Sequence, residues 1–217
     1  EIKHSYPGLR FTIGGEGEEQ EEVLGDVKKG FIVALFCIYA LLAIPFKSFS
    51  QPFVVMFAIP FGVVGAVLGH LLMGFNISVI SLFGMVGLAG VVVNDSLVLV
   101  HRVNALRINS GKSAFEAVVE GGMLRFRAII LTSVTTFGGL TPMMLEKSIQ
   151  ARFLIPMAIS LGFGVLFATL ITLILVPSGY MILDDIHRVV GWFSMKAQGP
   201  DARDSAGDNM LPEGGLR

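Results

Sequence analysis

The chain has 217 residues, of which 53% are hydrophobic and 15% are charged, and its formal net charge is −1. Soluble domains usually carry about 25% charged residues, and nucleic-acid-binding proteins usually show a basic arm or stripe, so this composition excludes both classes. The apolar residues form long runs of the kind that cross a lipid bilayer as helices, and we predict an integral membrane protein.

The N-terminal segment, 1–22, is polar and is predicted to lie outside the membrane. Alternating apolar and polar residues over Leu9–Ile13 predict a short, half-buried strand. Five glutamates follow between Glu16 and Glu22, and acidic residues favour the start of a helix. Because the chain begins with Glu1 and shows no signal peptide, we expect a piece of a longer polypeptide, with a tag-cleaved or mature protein as the alternative.

Five apolar runs are long enough to cross a bilayer. They cover about 23–46, 52–73, 77–103, 126–145 and 153–177, so that 23–183 forms a membrane domain. The remaining residues, 184–217, predict a disordered tail because they end in a polar stretch rich in Gly, Asp and Pro. The expected fold is all-α, with five transmembrane helices after a short β segment.

The loop charges predict the orientation, because short loops rich in Lys and Arg stay in the cytoplasm. Two basic residues, Lys147 and Arg152, fall on one side of the membrane and six on the other. The six are Lys47, Arg102, Arg107, Lys112, Arg125 and Arg127. The N-terminus is therefore expected outside the cytoplasm, and the C-terminus inside it.

A short surface helix is predicted in the longest cytoplasmic loop. Ser113 followed by Glu116 is a capping-box pattern, and an apolar stretch follows it. We expect this helix to end at Gly121–Gly122, since glycine commonly follows the last turn of a helix.

Asp95 is the most informative residue of the apolar runs. No Asp, Glu, Lys or Arg occurs in the 47 residues from Ser48 to Asn94 that precede it. An unpaired, ionised carboxylate at membrane depth costs several kcal/mol, and such residues usually mark an ion or proton pathway. The alternative is a structural carboxyl group that only hydrogen-bonds a neighbouring helix.

Helical spacing gives the third span one polar face. Asn94 and Asp95 share this face with small residues that include Gly84 and Gly87, so we expect another helix to approach closely there. Asn94 and Asp95 are candidate members of a proton relay that would take up a proton on one side of the membrane and release it on the other.

The fourth span carries a matching polar stripe. Arg125, Thr132 and Thr136 recur at helical spacing on one face, and they complete the candidate relay. The alternative for each threonine is that its hydroxyl group bonds only a carbonyl of its own helix.

The second span is predicted to pack closely through Gly65 and Gly69, which are four residues apart. His70 follows them, and we expect it at the membrane interface rather than as a ligand, because nothing pairs with it in the sequence. No metal-ligand spacing, phosphate loop or catalytic triad pattern occurs, so we expect neither a metal site nor an enzyme.

Five motifs, in order, resemble those of resistance–nodulation–division (RND) efflux permeases. Gly-Val-Val-Val-Asn-Asp-Ser-Leu-Val-Leu-Val resembles the polar motif in a core helix of that family. It occupies 90–100, and the other motifs occupy 39–49, 59–62, 125–133 and 153–158. The resemblance covers about Tyr6 to Leu183 and implies the C-terminal portion of a permease. In that arrangement 1–22 ends a periplasmic porter subdomain, and the five spans are the last membrane helices.

The resemblance also implies partners. The family suggests a homotrimeric proton antiporter of the bacterial inner membrane that works with a periplasmic adaptor and an outer-membrane channel. It implies no bound cofactor, only the proton gradient, and an N-terminal half of the permease that this sequence does not contain.

The family's relay normally combines paired aspartates of the first half with a lysine of the second half, and the sequence departs from that pattern. Asn94 stands at the lysine position, and Asp95 follows it, whereas Arg125 and Thr132 match the family. Either this subgroup uses a different set of charges, or Asp95 supports a relay whose main acids lie in the other half.

The function implied is proton-driven export of hydrophobic or amphiphilic compounds, and this segment is not expected to pump by itself. The heavy-metal branch of the family differs in sequence at 90–100, which favours hydrophobic substrates. Two alternatives remain: a non-transporting membrane scaffold module, and an RND relative that exports lipids or metal ions.

Overall fold

The computed structural model describes the backbone of residues 16–197, and the side chains of that range up to Val190 except those of 16 and 18. The strand predicted at Leu9–Ile13 and the tail from 198 onwards lie outside the described residues. The acidic segment predicted to start a helix does so, since the first helix begins at Glu16.

Six α-helices and a short 3-10 helix make up the described part of the chain. They are α1 (Glu16–Phe46), α2 (Gln51–Met56), α3 (Ile59–Met73), α4 (Val79–Ser110), α5 (Ala114–Met144), the 3-10 helix (Ala151–Phe153) and α6 (Ile155–Ala197). Strand structure is absent from 16–197, so the fold there is all-α.

Within residues 16–197, four helical segments are long and apolar enough to cross a membrane. They are Glu19–Phe46, Gln51–Met73, Val79–Ser110 and Ile155–Val190. The fourth predicted span, 126–145, is also helical, as the second half of α5. It is less apolar than the others because threonine and glycine interrupt it and Arg127 stands near its start.

Proline divides the second predicted span into α2 and α3. Pro60 lies in the first turn of α3 and Pro52 in the first turn of α2. Proline has no backbone N–H and its ring crowds the preceding turn, so it is accepted at the start of a helix and interrupts a continuous one. The break falls at Phe57–Ala58, and Pro60 is the second residue of the helix that follows.

The prediction that Gly121–Gly122 ends a short surface helix is wrong, because α5 continues through both residues. Gly121 instead allows α5 to approach α4, since a Cβ atom there would stand 3.0 Å from Cγ2 of Val103. The predicted capping box is confirmed. The Ser113 hydroxyl and backbone N–H donate to the Glu116 carboxylate at 2.9 and 3.1 Å, and these bonds lower the pKa of Glu116.

The last helix extends well past the predicted end of the fifth span, so the first part of the predicted tail, 184–197, is helical. With 43 residues at 1.5 Å each, α6 is about 65 Å long, roughly twice the hydrocarbon thickness of a bilayer. Contacts with α4 hold its continuation: the Tyr180 hydroxyl donates to Asn104 Oδ1 at 2.7 Å, and Asp184 forms an ion pair with Arg107 at 2.7 Å.

The central helix of the bundle is α6, which packs against α3, α4 and α5. It approaches α4 closely at Gly84, where an added Cβ atom would stand 2.5 Å from the Met157 carbonyl oxygen and 2.8 Å from Ser160 Cβ. Only glycine allows the two backbones to lie this close together.

The other glycines singled out in the sequence differ in what they contact. A Cβ atom on Gly65 would stand 2.4 Å from Phe167 Cβ, and one on Gly69 would stand 2.4 Å from Phe163 Cβ, so both lie against α6. Gly87 has no described atom within 4 Å of its Cβ position. The packing role predicted for Gly87 therefore has no partner within the described residues.

Gly84→Ala should lower the thermal unfolding temperature of the purified protein in detergent. The added methyl group would meet a backbone oxygen, and overpacking of this kind typically costs about 1–3 kcal/mol. Gly30→Ala on α1 is the control, because nothing lies within 4 Å of that position and alanine favours a helix more than glycine does. Equal unfolding temperatures for the two variants would contradict the close α4–α6 contact.

Candidate functional site

Most of the outer surface of the bundle presents large apolar side chains. Ile32, Phe36 and Ile44 of α1 and Leu170 and Ile174 of α6 are each more than half exposed. Lipid tails are as apolar as these side chains, so such faces are suited to contact lipid directly.

One face of α4 has a different chemistry. Gly87, Gly90, Asn94 and His101 are exposed and recur at helical spacing; we call this set the open face of α4. Nothing described lies within 4 Å of the Cβ positions of its two glycines. Asp95 lies at its edge and is half-buried. Small and polar residues are typical of contacts between membrane helices and of polar pathways, not of lipid-facing surfaces.

The stripe predicted on α5 is also open. Thr132 is exposed, and Thr136 and Arg125 are half-buried. The hydroxyl group of Thr132 donates to the Ala128 carbonyl at 2.9 Å, and that of Thr136 donates to the Thr132 carbonyl at 2.8 Å. Both hydroxyl groups therefore donate to carbonyls of their own helix, which is the alternative given above for each threonine. Each hydroxyl oxygen still has a lone pair that can accept a hydrogen bond.

The described residues do not connect the predicted relay members to one another. Asp95 and Asn94 make no side-chain hydrogen bond within 16–190, and Arg125 forms no ion pair there. Helices α4 and α5 do pack together, so the open face and the threonine stripe belong to adjacent helices. Their assignment to a proton relay stays a prediction.

The position of His70 was not expected from the sequence. The side chain is 2% exposed, with Nδ1 2.9 Å from the Ala66 carbonyl oxygen and Nε2 2.9 Å from Ser81 Oγ. Nδ1 must carry a proton, because a carbonyl oxygen only accepts. Ser81 Oγ accepts from the Ser78 backbone N–H at 3.0 Å and can donate to Nε2, so the histidine joins the end of α3 to the start of α4.

The hydroxyl groups that join α5 to α6 were also missed. Ser133 donates to the Ile129 carbonyl at 3.0 Å and accepts from the hydroxyl of Thr169, and both side chains are 5% exposed or less. Ser160 of α6 is fully buried without a hydrogen-bond partner among the described residues. These residues belong to the packed interior, whereas the predicted Thr132 lies on the other face of α5.

The architecture defines a multi-pass helical membrane protein, and comparison with known proteins identifies its family. The AcrB/AcrD/AcrF family matches residues 3–184. The chain is 31% identical over 176 residues to the swarming motility protein SwrC of Bacillus subtilis (strain 168), a match that covers 81% of this chain and 17% of that protein. It is 27% identical over 180 residues to the multidrug resistance protein MdtC of Proteus mirabilis (strain HI4320), covering 83% and 18% respectively.

The fold matches solved structures of the same architecture. One crystal form of a heavy metal efflux pump superposes with a TM-score of 0.70 at 23% identity and covers 85% of this chain and 18% of that one. A second form gives 0.69 at 24% identity. The chain belongs to the AcrB/AcrD/AcrF family of RND efflux permeases and spans less than a fifth of the length of these relatives. Members of this family are transport proteins rather than enzymes.

Ser81→Ala should lower the free energy of unfolding by about 1–3 kcal/mol, because it leaves the buried His70 Nε2 without a partner. Adding His70→Phe should recover part of this loss, since replacing both partners by apolar groups removes the unsatisfied atom. Ser178→Ala is the control, because that hydroxyl is exposed and bonds only its own helix. A double-mutant cycle by thermal unfolding measures the coupling, and strictly additive losses would contradict the pairing.

Proposed function

We propose that the chain is the second-half transmembrane part of a proton-driven exporter of hydrophobic or amphiphilic compounds. Asp95 and Asn94 on α4, with Arg125, Thr132 and Thr136 on α5, form this half's share of the proton relay. The energy source is the proton gradient, with no bound cofactor. The likeness to a protein named for multidrug resistance supports this substrate class.

The observation that carries the proposal is the contrast between the surfaces of the bundle. On α1 and the membrane part of α6 the exposed side chains are mostly large and apolar, but Asp95 borders a stretch of α4 where Gly87, Gly90, Asn94 and His101 follow the exposed Phe83. A carboxylate facing lipid without a partner is strongly unfavourable, so this face has to meet polar protein groups or water. The RND relatives are more than five times as long as the matched segment, and their remaining helices are the natural source of that partner.

The relay proposed here is shared between two halves. A basic residue of this half would normally balance acids of the other, but Asn94 occupies that place and is uncharged. Asp95 then either exchanges the proton itself or adjusts the charge of acids on the facing helix. In both cases protonation of a carboxyl group would change which helix face it can contact, and this change drives the transport cycle.

The complete protein is proposed to be a homotrimer of the bacterial inner membrane, working with a periplasmic adaptor and an outer-membrane channel. The distribution of basic residues supports a periplasmic N-terminus and a cytoplasmic C-terminus for this segment.

Metal export is the second candidate, because the fold also matches a heavy metal efflux pump. That match lies below 25% identity and speaks only for the shared architecture. Among the described residues, no group of three or more His, Cys, Asp or Glu side chains is placed to hold a metal ion. The resistance that the complete permease confers, to amphiphilic compounds or to metal ions, distinguishes the two candidates.

Asp95→Asn in the full-length permease should abolish or sharply reduce proton-coupled efflux while the assembled protein remains intact. The substitution keeps the size of the side chain and removes its titration, so the loss would report proton chemistry rather than packing. Efflux of a fluorescent amphiphile from inverted vesicles is the measurement. Asp185→Asn, an exposed carboxylate on α6, is the matched control and should leave efflux unchanged.

Retained efflux in the Asp95→Asn protein would exclude the relay role. A wild-type permease that confers resistance to metal ions but not to amphiphilic compounds would instead support the metal exporter.

A further inference from the structure

A polar network joins α2, α4 and α6 at the end of the bundle where α4 finishes. Asn104 Nδ2 donates to Gln51 Oε1 at 2.8 Å, and the Tyr180 hydroxyl donates to Asn104 Oδ1 at 2.7 Å. Arg107 Nη1 donates to the Tyr180 oxygen at 3.3 Å and lies 2.7 Å from Asp184 Oδ1. The network therefore holds the Arg107 guanidinium in one place.

A cavity of about 650 Å³ opens beside this network. Its polar lining includes Lys47, Ser48, His101 and Arg107, and neither Asp nor Glu lines it. The nearest carboxylate in the network, that of Asp184, forms ion pairs with two arginines, Arg107 at 2.7 Å and Arg188 at 2.8 Å. A site with cations and neutral hydrogen-bond donors but no carboxylate in its lining is chemically suited to an anion.

The two cations of the lining keep free donors. Lys47 is exposed, and its ammonium group makes no hydrogen bond or ion pair with the described residues. Arg107 uses Nη1 for its described contacts, and a guanidinium carries further N–H donors on Nη2 and Nε. Arginine held in a fixed orientation, with lysine as a mobile point charge, is an arrangement that recognises phosphate.

Exposed apolar side chains accompany the polar lining. Ile108 lines the cavity and is 82% exposed, and Ile44 and Phe49, which directly adjoin lining residues in the chain, are 74% and 78% exposed. Ile44 and Ile108 lie in the last turns of spans that end at Phe46 and Ser110, and Phe49 lies in the short link before Gln51. The ends of membrane spans are expected near the level where headgroups meet acyl chains. A free phosphate ion would leave these side chains uncovered, whereas a phospholipid places its acyl chains against them and its phosphate in the cavity. Basic pockets between membrane helices bind lipid headgroups in this way.

We propose that this cavity binds the phosphate headgroup of an anionic phospholipid, held by Lys47 and Arg107. The lipid would lie between the α1–α2 turn and the end of α4, and would brace the network that fixes α6. The cavity shares His101 with the open face of α4, but Arg107 lies twelve residues beyond Asp95, about 18 Å along the helix, and lipid binding can be measured without proton transport.

The test measures phosphatidylglycerol retained by the full-length permease, by native mass spectrometry and by titration in phosphatidylcholine nanodiscs. Lys47→Gln and Arg107→Gln should each weaken phosphatidylglycerol binding about fivefold, the factor that corresponds to about 1 kcal/mol per basic residue at a membrane surface. Lys147→Gln removes the same charge from an exposed position at the opposite end of the bundle and should change nothing. If Arg107→Gln fails to fold, the comparison of Lys47→Gln with Lys147→Gln is sufficient, because Lys47 is exposed.

Three results would overturn the proposal. The first is equal phosphatidylglycerol affinity in Lys47→Gln and Lys147→Gln. The second is displacement of the lipid by millimolar inorganic phosphate, which would assign the site to a free anion. The third is a photo-crosslinker at Asn109, another lining residue, that captures a peptide of the permease and no lipid.

Discussion

The close contact between α4 and α6 at Gly84 determines which face of α4 is buried. With the Gly84 backbone against the Met157 carbonyl, the residues one turn on either side, Ser81 and Leu88, also turn inward and are 1% exposed or less. At 100° per residue, Asn94 then points roughly 80° away from Gly84 around the helix. The rotation of one helix, set by one glycine, therefore leaves Gly87, Gly90 and Asn94 uncovered.

This rotation explains why Asp95 is neither a core residue nor a surface residue. It lies eleven positions after Gly84 and nearly in line with it around the helix, yet its side chain is only half-buried. A polar edge beside an uncovered strip of small residues is typical of a helix contact, whereas the exposed apolar faces of α1 and α6 suit lipid. Under the proposed function the partner of this strip is a further helix of the permease, since the relatives contain far more chain than this segment.

Much of the fold followed from apolar run lengths and capping residues, because both are local properties of the sequence. The helices of the five spans and the Ser113–Glu116 cap needed no tertiary information. The end of α6 could not be predicted in this way, because the contacts of Tyr180 and Asp184 with α4 accompany its continuation. The predicted helix end at Gly121 was wrong for the same reason. Glycine commonly follows the end of a helix, but here it lies within α5 where that helix packs against Val103 of α4.

The candidate site was predictable in composition but not in contacts. Polar residues inside a long apolar run are visible in the sequence, so Asp95 and Asn94 stood out. Helical spacing could not show that Thr132 bonds its own helix while Ser133, one residue on, pairs with Thr169. It also could not show that His70 meets Ser81, because that contact requires the turn at Gly74, where φ is 71°.

The central claim is that the open face of α4 meets protein rather than lipid at Gly87, Gly90 and Asn94. A photo-crosslinker attached at Asn94→Cys in the full-length permease, with the exposed Cys37 replaced by serine, tests it directly. The account predicts cross-links to a helix of the permease outside these 217 residues, while the same reagent at Phe36→Cys, on the apolar face of α1, reaches lipid. Cross-links from Asn94→Cys to lipid alone would contradict it.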